Sequence, residues 1–71
     1  MRNFIPIDGA KYKGHVTIGK NKYPILIGPW GKLYAQVGPS PEGIDMVEVI
    51  ALEQDGTPKE GFLHLKKDYF L

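Results

Sequence analysis

The chain has no cysteine, a single serine, only two histidines, and no apolar run approaching the ~20 residues that span a bilayer. Without cysteine, neither disulfides nor thiolate-held metals can staple the fold, so packing of apolar side chains has to suffice. The missing apolar run excludes a helical membrane span. Residues 1–14 break at Pro6 and at Asp8-Gly9 before a signal-peptide core develops, and a cytoplasmic protein is expected. Helical spacing is also lacking. Every window with apolar residues three and four apart contains glycine or proline, except parts of Ile44 to Gln54, where the β-branched Val47, Val49 and Ile50 argue for strand.

Residue types that carry chemistry are equally sparse. His15 and His64 have no histidine or acid at metal-ligand spacing, which leaves His15 as a solvent-facing strand residue and His64 as one partly covered near the closing turn. Ser40 sits between prolines, outside any nucleophile-elbow context. The acids Glu42, Asp45, Glu48, Glu53, Asp55 and Glu60 gather around loops, where solvation accounts for them. No catalytic residue, metal site or cofactor is therefore expected, and the chain reads as something other than an enzyme.

What is present is a strand pattern. With 71 residues, 42% hydrophobic and 24% charged, the chain is one domain, 1–71, with one small core. Its clearest reversal is Gln54-Asp55-Gly56-Thr57, an Asp-Gly turn between a strand within Ile44 to Leu52 and a return strand at Phe62 to Leu65. Ahead of it, Asn3 to Ile7 reads as a short edge strand. Lys11 to Ile18 alternates cleanly, with Tyr12, Gly14, Val16 and Ile18 on one side. Tyr23 to Ile27 and Lys32 to Val37 follow, the latter with Leu33, Ala35 and Val37 facing in and Lys32, Tyr34 and Gln36 facing out. Gly38 to Gly43, with two prolines, is a stiff exposed loop. One 3-10 turn is expected at Leu65 to Asp68, before an apolar tail, Tyr69-Phe70-Leu71, that must dock. Tyr12, Tyr23, Phe62 and Phe70 are expected in the core or at its rim. The fold class is thus all-β, a small five- to six-stranded antiparallel barrel with at most one 3-10 turn.

The stretch DGTPKEGFLHLKKDYFL resembles the end of SH3 and bacterial SH3-like domains: a distal turn, a Gly-aromatic strand, a 3-10 turn and a closing Tyr-aliphatic piece, matched at Gly56, Gly61, Phe62, Leu63 and Tyr69. The resemblance implies an SH3-like barrel without the polyproline groove. The groove's N-terminal tyrosine-rich motif has no counterpart, Ile44-Asp45 stand where its tryptophan belongs, and His64 where its proline belongs. Ile27-Gly28-Pro29-Trp30-Gly31 is similar to the Gly-Pro-aromatic loop of KOW segments, although Tyr34-Ala35-Gln36 replaces the glycine expected after it.

Two functions from different classes follow. Ile44, Met46, Ile50 and Leu52 fall on one side of their strand and Val47, Val49 and Ala51 on the other, so the strand either bends between two layers or meets another chain. The second alternative makes Met46, Val47, Val49 and Ile50, with Pro39 and Pro41 of the stiff loop, the contact residues of a protein-interaction module or accessory subunit, whose partner is another protein or a second copy. The charge distribution suggests the other function. Residues 1–35 hold six cations against Asp8 alone, and residues 36–71 hold three lysines against seven acids. Lys11, Lys13, Trp30, Lys32 and Tyr34 would then form a basic, aromatic-bearing face for nucleic acid. Trp30 either stands exposed in its Gly-Pro loop or folds back as a lid over the barrel end.

Overall fold

The computed structural model describes residues 5–71. Five strands, β1 (Lys11–Ile18), β2 (Asn21–Ile27), β3 (Leu33–Pro39), β4 (Met46–Leu52) and β5 (Leu63–Lys66), form one antiparallel sheet in sequence order. The ladders run from β1 to β5, with no β1–β5 ladder among the described residues. The expected first strand is not observed: Asn3 and Phe4 lie outside the described residues, and Ile5 to Ile7 are irregular, with Ile7 entering the core. There are two 3-10 turns rather than one, Pro29–Gly31 and Lys67–Phe70. No helix among the described residues is long and apolar enough to cross a membrane.

Three departures from regular pairing shape the sheet. Lys13 and Gly14 together oppose Ile25, and this one-residue bulge is possible because Gly14 takes φ 63°. The bulge splits the side of β1 that alternation had grouped: Tyr12 packs on one layer, Val16 and Ile18 on the other. Val37 is the extra residue of a second bulge, after which β3 continues through Gly38 and Pro39, two residues expected in the loop. Pairing between β2 and β3 covers only Ile25 to Ile27 on β2. Pro24, with no N–H to donate, stands where that ladder stops, so the tip of the β1–β2 hairpin leaves β3.

The sheet is buried on both faces. One layer holds Ile7, Leu26, Tyr34, Val47, Val49 and Phe70, roofed by the N-terminal segment and the closing 3-10 turn. The other holds Leu33, Ala35, Ile50 and Leu52, with Val16, Ile18 and Tyr23 of the β1–β2 hairpin packed against it. The two-sided strand β4 is therefore the middle of the molecule. Val47 and Val49 face one layer and Ile50 the other, so these three residues are core, not a contact surface; Met46 is half-buried.

Tyr34 and Gln36 correct the reading of β3. Both are buried, since the segment before β1 and the turn after β5 lie over the face expected to meet solvent. Gln36 stays satisfied there: its Oε1 accepts from the Tyr12 hydroxyl at 2.6 Å, and its Nε2 donates to the Ile5 carbonyl at 3.0 Å. Tyr34 stands edge-on to Tyr69 and Phe70, and its hydroxyl shares a 3.1 Å hydrogen bond with that of Tyr69. Burial first, then the Tyr69 contacts, push the Tyr34 phenol up from 10.0 to about 12. A raised phenol favours the folded state only while it stays protonated. Its contribution is complete below pH ~10 and is lost as pH rises toward ~12, on the order of 2 kcal/mol. Denaturant midpoints across that window should fall in the native chain and flatten in Tyr34→Phe.

Phe62, expected in the core or at its rim, is 58% exposed. Leu52 bridges to Pro58, whereas Val49 pairs with Leu63, so two more residues lie on the return side than a regular ladder would hold. The chain bends at Glu60 and Gly61 to take up the excess, and Phe62 is turned outward. The reversal is closed by Glu53 N–H to Thr57 O at 2.7 Å and by Thr57 N–H to Asp55 Oδ1 at 3.0 Å. That amide holds the Asp55 carboxyl below its ordinary range.

Candidate interaction site at the Trp30 turn

One end of the sheet collects the start of β1, the β2–β3 turn and the β4–β5 reversal, because antiparallel pairing sets Lys11 beside Ile27 and Leu33 beside Leu52. The β2–β3 turn is tight: Gly28 N–H donates to Lys32 O at 2.7 Å, and Lys32 N–H to Pro29 O at 3.2 Å. Inside it Trp30 takes φ 56°, ψ 27°, the one non-glycine positive φ among the described residues, and is 91% exposed. It stands out from the surface and does not close the end as a lid. Left-handed backbone at a bulky residue costs about 1–2 kcal/mol, and packing within the chain does not offset it.

The turn forms a ridge between two hollows. One, about 240 Å³, is lined by Lys11, Ile27, Pro29 and Tyr69. The other, about 300 Å³, is lined by Tyr34, Ala51 and Leu63, which share one face of the sheet, and by Lys32, Glu53 and Lys59; Leu33 and Leu52 border it but turn their side chains into the layer on the opposite face. Gln54 Nε2 donates to Gly31 O at 3.3 Å, tying the ridge to the wall of the larger hollow. Leu63 is 43% exposed there.

Of the basic-face residues, Lys11, Lys13, Trp30 and Lys32 are exposed; Lys11 lines the smaller hollow and Lys32 the larger, on either side of the turn, Lys13 lies further along β1 in the bulge opposite Ile25, and Tyr34 is buried in the core. Pro39 and Pro41 are exposed at the opposite end, where Pro39 pairs across the sheet with Val47, whose side chain is buried. Sequence reasoning missed Leu63, Lys59 and Gln54. They lie more than twenty positions from Trp30: pairing of β4 beside β3 brings Gln54 near, and the return of the chain along β4 brings Lys59 and Leu63.

The structure also assembles Ser40, His64 and Glu48. Ser40 Oγ and His64 Nδ1 share a 2.6 Å hydrogen bond, and His64 Nε2 lies 3.6 Å from Glu48 Oε2 on the neighbouring strand. Ser40 is buried, and its oxygen already accepts the Glu42 N–H at 2.9 Å, so the trio ties the β3–β4 loop to β5. Among the described residues no three metal-ligating side chains are placed to hold an ion. No family model, curated protein or solved structure matches the chain.

Proposed function

We propose that the chain is a non-catalytic protein-interaction module whose contact surface is the Trp30 end. The observation that carries this reading is Trp30 itself, a tryptophan held almost fully in solvent by a strained turn. Tryptophan is enriched among the few residues that dominate binding energy, and a rigid turn lowers the ordering cost of presenting it. An SH3-like plan belongs to the same proposal, supported by the reversal at Gly56 followed by β5 and a 3-10 turn. A second reading, nucleic-acid binding, is favoured by the exposed Lys11 and Lys32 on either side of the Trp30 turn. It is weakened by the burial of Tyr34, which leaves one stacking platform where strand binders use several, and by Glu53 in the larger hollow.

The test is a photo-reactive amino acid at position 30, with position 20 at the far turn as control, irradiated in the source cells. A discrete protein adduct specific to position 30 is expected. A nuclease-sensitive adduct instead would select the second reading, and none of either kind would overturn both. Trp30→Gly should leave the fold intact and raise its stability by about 1 kcal/mol through relief of left-handed strain, read as a higher melting temperature.

A further inference from the structure

We infer that the partner at this surface is a second copy of the chain, each copy's Trp30 seated in the other's hollow between Lys32 and Leu63; this rests on the interaction-module reading. A knob beside a hole on one surface is self-complementary under a two-fold axis, since a rotation about a point between them fills both holes at once. The ridge and the larger hollow stand in that relation, and the Gln54 to Gly31 hydrogen bond fixes their separation. Within one chain the knob leaves the hole empty, because the left-handed turn directs Trp30 into solvent.

The hollow's chemistry suits an indole. Its apolar lining is Ala51, Leu63 and the ring of Tyr34, its lysines offer aliphatic stems and an ammonium for the ring face, and Glu53 can accept the indole N–H. Charge points the same way. The hollow carries both signs, so two copies can set Lys32 or Lys59 of one against Glu53 of the other, and a net charge of +1 adds little repulsion. Each tryptophan buries about 200 Å². Two of them with their matching linings bury on the order of 800 Å², below the ~1,200 Å² at which stable interfaces begin, so the dimer is weak.

Trp30 is the chain's only tryptophan, so its emission reports the contact directly. Sedimentation of the full chain from about 10 µM to about 1 mM should show monomer passing to dimer, with a blue shift of emission over the same range. Trp30→Ala, which keeps the hollow, and Leu63→Glu, which keeps the knob at a partly exposed position, should each be folded by amide dispersion and monomeric throughout. Mixing the two rebuilds one knob-in-hole contact: adding Trp30→Ala, which does not emit, to Leu63→Glu should shift the latter's tryptophan to the blue. A native chain monomeric at ~1 mM with unchanged emission overturns the second copy as partner. A dimer that persists in Trp30→Ala does so too. Either outcome leaves the interaction-module reading standing if position 30 still crosslinks to a different protein.

Discussion

Val49→Glu is expected to unfold the domain. Val49 is fully buried at the centre of β4, paired with Gln36 on one side and Leu63 on the other. A carboxylate there would face Leu26, Tyr34 and Phe70, and the nearest polar side chain, Gln36, already has both ends engaged with Tyr12 and Ile5. An unpaired buried charge costs several kcal/mol. A domain this small commands only about 3–5 kcal/mol in total, so the deficit exceeds the reserve. Loss of amide dispersion and of the strand circular-dichroism signal at neutral pH is the expected result. A Val49→Glu protein that keeps a native spectrum would remove β4 from the core and restore it as a contact face.

Gly28→Ala is the second large effect. A Cβ at position 28 would sit 2.8 Å from Cε2 of Tyr34 and 3.5 Å from Cε2 of Tyr69, so something must move. The Tyr34 ring cannot swing away cheaply, being buried against Tyr69 and Phe70 with ring centroids at 6.1 and 5.4 Å. Overpacking of this kind costs about 1–3 kcal/mol. In a domain of this length that lowers the melting temperature by about 5–20 °C. Combining Gly28→Ala with Tyr34→Leu should recover part of the loss, since the flexible side chain yields where the ring does not. Additive losses in the double variant would show that the clash is not the cause.

Much of the architecture was legible in the chain. Alternation over Lys11–Ile18 and Lys32–Val37, β-branching in Met46–Leu52 and the Asp55-Gly56 turn depend on neighbours two to four positions away, and all four appear as strands or a reversal in the structure, the second as Leu33–Pro39. The apolar tail docks as expected, with Phe70 buried. Trp30 was recognisable as unusual because a Gly-Pro-Trp-Gly turn offers little for an indole to pack on.

The site was less legible. Period-two reasoning says which residues share a face but not what lies over it: Tyr34 and Gln36 share their face with Lys32, yet the N-terminal segment and the closing turn cover them. Nor does it place the extra residues that turned Phe62 outward.

The sequence by itself determined the all-β class, the positions of the five strands and the absence of thiol chemistry, because strand propensity, turn geometry and residue type are local properties. Tertiary structure alone decided that β4 is core on both faces, that Tyr34 is buried while Trp30 stands free, and that a hollow lined by Tyr34, Ala51 and Leu63 lies beside that tryptophan. Each of these depends on which distant segment comes to rest against a given face. That is settled by chain topology and the competition to bury apolar area, and alternation along one strand does not encode it.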